Sequence, residues 1–500
     1  MLNNPKLYEI NIRVWIKRFG PTAKISDIPK DYWLRLKGKG IDFVRLMGIW
    51  KTCRANIDST CFTPELVKQY NAALKDWTKN DVIGSPHAID EYRVNPDLGT
   101  EEDVIQLKKI LNEIGIALIL DFVPNHFGST SEILKNHPEI FLTVSEEIYR
   151  AEPHTYFTVP EHPGLYFAHG RDPFFPAWSD TAQVNYFNPS ARDFMAGTLQ
   201  RISNFCDGVR CSMAMLILNN IFGNTWRGAA DPDKYPENSE EFWTMAIKDI
   251  KMFNPGFLFV AETYWNLEKT MQGLGFDYTS DKVLYDKLKN NSASEIKGHL
   301  TADLTMQQKS VRFIEKSEEE RAIKTFGHDK SMAAAVITAT IPGLMLYQDG
   351  QWEGKNNKIP LQLGREGKSQ PHPKIVKFYE KLLKITGDRV FKDGIWNLLA
   401  CNKAWDDNNT NVNMLSWRWK LGIRNTIVVV NYSDINSQCR LKFDVNIGDD
   451  RILLNDLMGD KIYVRAIDEF LEKGLFIDLP SYQSHVFVFD EDNEGGGSYF

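Results

Sequence analysis

The chain has no long apolar run and no concentration of basic residues. No stretch approaches the roughly 18 apolar residues needed to cross a bilayer, and the opening segment Met1 to Lys6 has no apolar signal core. The formal net charge is −7, with no cluster of Lys or Arg. We therefore expect a cytoplasmic protein with neither a membrane nor a nucleic-acid partner. The composition gives no indication of its oligomeric state.

Cysteine is scarce, with six residues in a chain of 500. None stands in a Cys-x-x-Cys pair, and their wide spacing argues against both a disulfide framework and a cysteine-based metal site. A reducing compartment fits this usage. The cysteines are Cys53, Cys61, Cys206, Cys211, Cys401 and Cys439.

Short apolar runs that end in polar or charged residues recur along the chain, each followed by an amphipathic stretch. With 43% hydrophobic residues, the chain can bury a barrel-sized core and a smaller additional one. The alternation predicts parallel strands joined by crossover helices. The runs are Leu7 to Trp15, Phe43 to Met47, Ala117 to Asp121, Gly208 to Ser212, Leu258 to Glu262, Val311 to Glu315, and Leu344 to Tyr347.

Two interruptions of this rhythm predict the domain boundaries. Residues 127–186 are rich in Pro, His and aromatics and predict a loop domain inserted into a barrel of residues 1–126 and 187–391. After residue 392, alternating strand-like segments predict a C-terminal β-sandwich over 392–492. Residues 493–500 contain three consecutive glycines and predict a flexible tail.

In a barrel of parallel strands, chemistry is expected at the C-terminal ends of the strands. Asp121, Arg210, Ser212 and Glu262 stand at such ends, together with a cluster of acids over residues 315–320. The sequence therefore predicts a polar site formed by several strands.

Three ordered segments resemble the α-amylase family (glycoside hydrolase family 13) of retaining hydrolases and transglycosylases. They are Asp121 to His126, Gly208 to Ala214, and Phe259 to Glu262. The resemblance implies an α/β fold: a (β/α)8 TIM barrel with an inserted loop domain after strand 3 and a C-terminal antiparallel β-sandwich. It also implies an α-linked glucoside or oligosaccharide as the ligand.

The resemblance fails at the nucleophile, because Ser212 occupies the position of the family's catalytic carboxylate. The fourth family segment is also altered. Gly327 to Lys330 contains the family's His-Asp pair but leaves too little chain for a helix before the strand at Leu344. Val311 to Glu319 fits better, and it has Lys316, Ser317 and Glu318 where the family has Asn, His and Asp.

The resemblance assigns roles to the remaining residues. It implies Glu262 as general acid/base and Arg210 as the group that holds the nucleophile. Sugar contacts are implied for Asp121, His126, His87 and Tyr92, with Trp265 and Tyr264 on the acceptor side; His87 replaces an aromatic residue that stacks on the sugar. Four of the candidate residues also have a purely structural alternative. Asp121 could cap a helix or loop, and His126 could be a core histidine. Glu262 could be a surface acid, and Glu318 could lie at the solvated start of a helix.

Asn125 resembles a calcium ligand of some family members. The second segment lacks the Lys-His pair that often accompanies this site, and no loop is dense in carboxylates. We therefore expect no metal and no other cofactor.

Serine at position 212 leaves three hypotheses for function. A retaining glycosidase needs a nucleophilic carboxylate roughly 5 Å from an acid/base carboxylate, and loss of such a group costs a factor on the order of 10³ or more. The chain is therefore a glycosidase with a replaced nucleophile, a binding or regulatory protein that has lost catalysis, or an inverting hydrolase. In the last case Glu262 is the acid and Glu318 the base that activates water.

Overall fold

The computed structural model describes residues 3–230 and 240–492; the predicted flexible tail, residues 493–500, lies outside this range. Within it, eight parallel strands form a closed barrel, and neighbours in the barrel follow chain order. This confirms the predicted fold class. The barrel strands, here numbered one to eight, are Lys6–Asn11, Phe43–Met47, Ala117–Phe122, Gly208–Cys211, Leu258–Ala261, Tyr278–Ser280, Ser310–Arg312 and Leu344–Gln348.

The barrel strands are buried along nearly their whole length, which suits their apolar sequences. Three differences from the sequence prediction appear. The first strand ends at Asn11, and Ile12–Trp15 is helical. The sixth strand, Tyr278–Ser280, was not predicted. The seventh strand is Ser310–Arg312, so it ends before the acids that follow.

The chain divides into two compact units. The first holds the described residues from 7 to 280 and 357–369; the second holds 3–6, 281–356 and 370–492. The predicted boundaries of the barrel, the inserted domain and the C-terminal domain stay predictions.

Helices flank the strands in both units, and none in the described ranges is long and apolar enough to cross a membrane. The α-helices of the first unit are Ile12–Trp15, Lys30–Gly38, Ile57–Thr60, Pro64–Ala73, Glu101–Glu113, Glu132–Asn136, Glu146–Ala151, Pro189–Ile202, Asn219–Thr225, Phe242–Phe253 and Glu268–Gly273. Those of the second unit are Lys282–Asn290, Ala293–Leu300, Leu304–Gln308, Ala322–Phe326, His328–Thr340, Pro373–Ile385, Val390–Asp393 and Ile467–Lys473.

Short 3₁₀ turns lie between these elements. They are Ile16–Phe19, Ile25–Asp27, Lys79–Asp81, Pro138–Ile140, Ala214–Ile217 and Thr410–Asn413. Helix starts are set by local chemistry: the Thr100 hydroxyl, for example, accepts from the Asp103 backbone N–H and begins Glu101–Glu113.

The segment after the third barrel strand contains small antiparallel sheets. His126–Gly128 pairs with Thr181–Gln183, while Thr143–Val144 and Tyr156–Phe157 both pair with Tyr166–Ala168. A further pair, Trp50–Thr52 with Ile89–Val94, precedes that strand. These sheets position His126 and Tyr92.

The C-terminal region is a β-sandwich, as predicted. A six-stranded antiparallel sheet and a three-stranded sheet share one apolar core, which includes Met414, Ile427, Leu441 and Phe487. In spatial order, the larger sheet consists of Ile395–Leu399, Met414–Leu421, Arg424–Asn431, Ser484–Asp490, Arg451–Asp456 and Lys461–Ala466, and the smaller one of Cys401–Asn402, Ser437–Leu441 and Leu475–Leu479.

Candidate active site at the barrel strand ends

Strand register brings Ser212 and Glu262 together in the first unit. Cys211 of the fourth strand pairs with Ala261 of the fifth, so the next residue of each strand lies at the same barrel edge. The Ser212 N–H donates to the Phe122 carbonyl at 2.8 Å, and the Glu262 N–H donates to the Cys211 carbonyl at 2.9 Å. Both side chains are buried.

Arg210 connects the two side chains. Its Nη1 donates to Ser212 Oγ at 2.6 Å, and its Nη2 lies 2.7 Å from Glu262 Oε1. Alternation along the strand places residues 210 and 212 on one face. The guanidinium therefore pairs with Glu262 and at the same time hydrogen-bonds the serine.

Ser212 has no bonded base within the described part of the chain. Its hydroxyl is hydrogen-bonded to Arg210, and a guanidinium only donates hydrogen bonds. A serine becomes a nucleophile when an adjacent group removes its proton. The arrangement does not supply that group.

The Glu262 carboxylate receives two further hydrogen bonds. The Met213 backbone N–H donates to Oε2 at 3.0 Å, and the Tyr264 hydroxyl donates to Oε1 at 2.7 Å. Met213 has a φ of 45°, an uncommon conformation for a residue with a side chain. These donors and Arg210 satisfy the oxygens of a carboxylate that is buried away from water.

Asp121 belongs to a buried charged network that the sequence did not reveal. Its Oδ1 accepts from Arg45 Nε at 2.9 Å, and its Oδ2 accepts from the Gly48 N–H at 3.0 Å. Arg45 also pairs with Glu9, which lies opposite it in the strand register. The carboxylate of Asp121 is thereby fixed to the second strand.

His126 is buried beside an aromatic ring of the inserted segment. Its ring centre lies 5.4 Å from that of Trp178 in an edge-to-face arrangement. Burial, and secondarily the charge of nearby His87, lowers the pKa of His126 to about 3. The imidazole is therefore neutral near pH 7. His87 itself is partly buried in the turn that precedes Ile89–Val94.

Tyr92 is buried, and its hydroxyl is hydrogen-bonded to the backbone just after the third barrel strand. The hydroxyl donates to the Val123 carbonyl at 3.0 Å and accepts from the Val123 N–H at 2.8 Å. Burial raises its pKa well above the ordinary value. The geometry gives Tyr92 the means to fix the backbone after the third barrel strand.

An aromatic contact joins the loop after Glu262 to the inserted segment. The Trp265 ring centre lies 5.1 Å from that of Phe174, which is 68% exposed. Trp265 and Asn266 have φ values of 62° and 59°. Two consecutive left-handed residues with side chains store strain of about 1–3 kcal/mol each, so surrounding contacts hold this loop in place.

The remaining predicted acid, Glu318, lies in the second unit. It follows the seventh strand in a turn and precedes the helix that begins at Ala322. Its Oε2 lies 3.5 Å from the Nζ of buried Lys316. Glu315 is fully buried, accepts from the Ala322 N–H and pairs with Arg321 at 2.6 Å.

The alternative His-Asp pair also lies in the second unit, away from a strand end. His328–Thr340 begins as a helix at this pair. Asp329 is exposed and pairs with Lys374 at 2.7 Å.

The residues around Asn125 do not fit a calcium ion. The Gln183 amide nitrogen donates to the Asn125 backbone and side-chain oxygens at 2.8 and 3.1 Å. It also donates to the Val184 carbonyl at 3.0 Å. An N–H donor thus faces the oxygens that a cation would need. Among residues 3–230 and 240–492, no group of three His, Cys, Asp or Glu side chains could hold a metal.

Comparison with known proteins finds α-amylases. Alpha-amylase 3 of Dictyoglomus thermophilum is 23% identical over 300 residues, 55% of this chain and 55% of that protein. Alpha-amylase MalA of Haloarcula japonica is 23% identical over 289 residues, 55% of this chain and 37% of that protein. The chain therefore spans about half or less of the length of these relatives. No protein-family model matches it.

Solved structures match over almost the whole chain. The maltogenic α-amylase AmyB of Thermotoga neapolitana has a TM-score of 0.68 at 20% identity, covering 98% of this chain and 99% of that one. An acarbose-complexed α-amylase of Geobacillus thermoleovorans has a TM-score of 0.63 at 15% identity, with the same coverages. The chain therefore has the fold of the α-amylases.

Proposed function

We propose that this protein binds α-linked glucosides at its barrel strand ends and does not hydrolyse them by double displacement. The fold shared with proteins named as α-amylases supports the ligand class. So does the acarbose bound to one structural neighbour. Buried polar groups beside exposed aromatic rings suit a sugar, whose hydroxyls hydrogen-bond and whose faces stack.

The hydrogen bonding of Ser212 is the observation that carries the proposal. Its hydroxyl is bonded to Arg210, a donor without acceptor capacity. The serine hydroxyl offers neither a carboxylate nucleophile nor the negative charge that stabilises an oxocarbenium-like transition state. A covalent glycosyl intermediate at this position is therefore strongly disfavoured.

Glu262 is held in place by Arg210, Tyr264 and the Met213 N–H and can hydrogen-bond a sugar hydroxyl. In this proposal Asp121, His126, His87, Tyr92 and Trp265 shape the sugar site. The proposed reducing, cytoplasmic location rests on the few and widely spaced cysteines of the sequence.

Inverting hydrolysis is the second candidate function. Lys316 lies 3.5 Å from Glu318 and stabilises the carboxylate form that a general base needs. In that case Glu318 would activate the attacking water.

Calorimetry with maltooligosaccharides, combined with NMR of any released sugar, tests the proposal. We expect saturable binding and no product from the chain. Ser212→Asp should restore turnover if the rest of the machinery is intact, whereas Ser190→Asp, at an exposed helix start, should not. Absence of binding would contradict the proposal, and release of a β-sugar by the unaltered chain would favour inversion.

A further inference from the structure

A cavity of about 260 Å³ lies in the first unit and is lined by none of the residues proposed for the sugar site. It is slightly smaller than the roughly 300–1,000 Å³ of pockets that hold drug-sized ligands. Three cations line it, namely Arg13, Lys17 and Lys24, along with the polar residues Thr22 and Asn95.

Arg13 is the unusual member of this wall, because it is only 4% exposed. Its Nη2 donates to the Ile83 and Gly84 carbonyls at 2.8 Å each. Its Nε and Nη1 have no hydrogen-bond partner in the described part of the chain. No carboxylate of residues 3–230 or 240–492 forms an ion pair with it.

Glycine at position 48 leaves space for the Arg13 side chain. A Cβ at that position would lie 2.7 Å from Arg13 Cδ, which is closer than such atoms approach. Gly48 also has a φ of 82°, which glycine adopts without strain. The backbone thus leaves room for the arginine side chain beside the cavity.

A buried charge without a counter-charge is costly. Burial lowers the pKa of Arg13 to about 10, so the group stays cationic near pH 7. Asp97 also lines the cavity, but it pairs with Arg54. Lys17 is exposed, and Lys24 donates to the Pro96 carbonyl at 2.7 Å. The cavity wall therefore carries an excess of positive charge.

We propose that this cavity binds a small oxyanion, a phosphate or a carboxylate group, through Arg13, Lys17 and Lys24. The charge of Asp97 reaches Arg13 only from a distance, and the anion supplies the direct ion pair that Arg13 does not form with residues 3–230 or 240–492. Lys17 and the N–H groups that Lys24 keeps available add charge-assisted hydrogen bonds. This site is independent of the proposed sugar binding.

Isothermal titration of the full chain with inorganic phosphate, and separately with acetate, tests the site at constant ionic strength. We expect one saturable site, and the tighter of the two anions identifies the group. Lys17→Glu should weaken binding at least about ten-fold, and Arg13→Gln about 10- to 100-fold. The matched charge reversal Lys68→Glu, on the exposed face of Pro64–Ala73, should leave binding unchanged.

Two results would overturn the proposal. One is the absence of saturable binding of either anion. The other is an equal loss of affinity in Lys17→Glu and Lys68→Glu, which would mean that only the general field of the protein attracts anions. If Arg13→Gln does not fold, the two lysine variants decide alone.

Discussion

Replacement of Glu262 by glutamine should destabilise the protein through Arg210. The two side chains are 5% and 6% exposed, and the N···O distance is 2.7 Å. Removal of one charge from a buried pair costs about 3–5 kcal/mol, because the other charge is left poorly solvated. Glutamine keeps one acceptor oxygen, so we expect a loss near 3 kcal/mol. Urea unfolding followed by tryptophan fluorescence should show the transition at lower denaturant.

A second substitution tests whether the loss acts through the arginine. Ser212→Asp in the Glu262→Gln background places a carboxylate beside Arg210 Nη1, which lies 2.6 Å from Ser212 Oγ. We expect the double variant to regain at least about 1 kcal/mol, so that the two changes are not additive. An equal shift in Glu262→Gln and in Glu380→Gln, a matched change at an exposed helical position, would refute the role of Arg210.

Three further predictions concern other parts of the site. Because burial lowers the pKa of His126 to about 3 from 6.5, its contribution to stability is present above pH 6.5 and is lost as pH falls toward 3. The free energy of unfolding should therefore change with pH by at most about 1.4 kcal/mol per pH unit. Unfolding measured at several pH values should show a smaller pH dependence for His126→Asn. An unchanged dependence would contradict the lowered pKa of His126. Asp121→Asn should lower the free energy of unfolding in urea by about 3 kcal/mol, because it disrupts the buried charged network. Asp58→Asn, at an exposed position, should change it by less than about 0.5 kcal/mol. Equal effects of the two variants would refute a structural role for that network. Phe174→Ala should weaken maltooligosaccharide binding about five-fold in calorimetry, because it removes a face on which a sugar stacks. Phe253→Ala, which removes another exposed ring, should leave the affinity unchanged. Unchanged affinity in Phe174→Ala would exclude Phe174 from the site.

The barrel could be predicted because most of its strands are continuous apolar runs. The runs at Phe43 and Ala117 appear as strands with nearly the predicted ends. The sixth strand escaped prediction because it has three residues, two of them the polar Thr279 and Ser280. So short a segment has no periodicity that distinguishes it from a loop.

The candidate site could be predicted only where neighbouring positions lie on one strand. Arg210 and Ser212 share a strand face by alternation alone. The contact of Arg210 with Glu262 could not be predicted, since it depends on the register of two strands and on the second arm of the guanidinium. Glu9 and Arg45 are charged residues inside buried strands. Because buried charges are usually paired, the sequence indicates that each has a partner. Which partner it is depends on how the barrel closes.

Glucoside binding without turnover is tested most directly by a long incubation of the unaltered chain at high concentration with maltooligosaccharides. Calorimetry measures binding, and NMR follows the anomeric form of any released sugar. We predict saturable binding without product, beside a Ser212→Asp variant as the positive comparison. Steady release of an α-sugar by the unaltered chain would contradict the account, because retention requires the nucleophile that Ser212 does not provide.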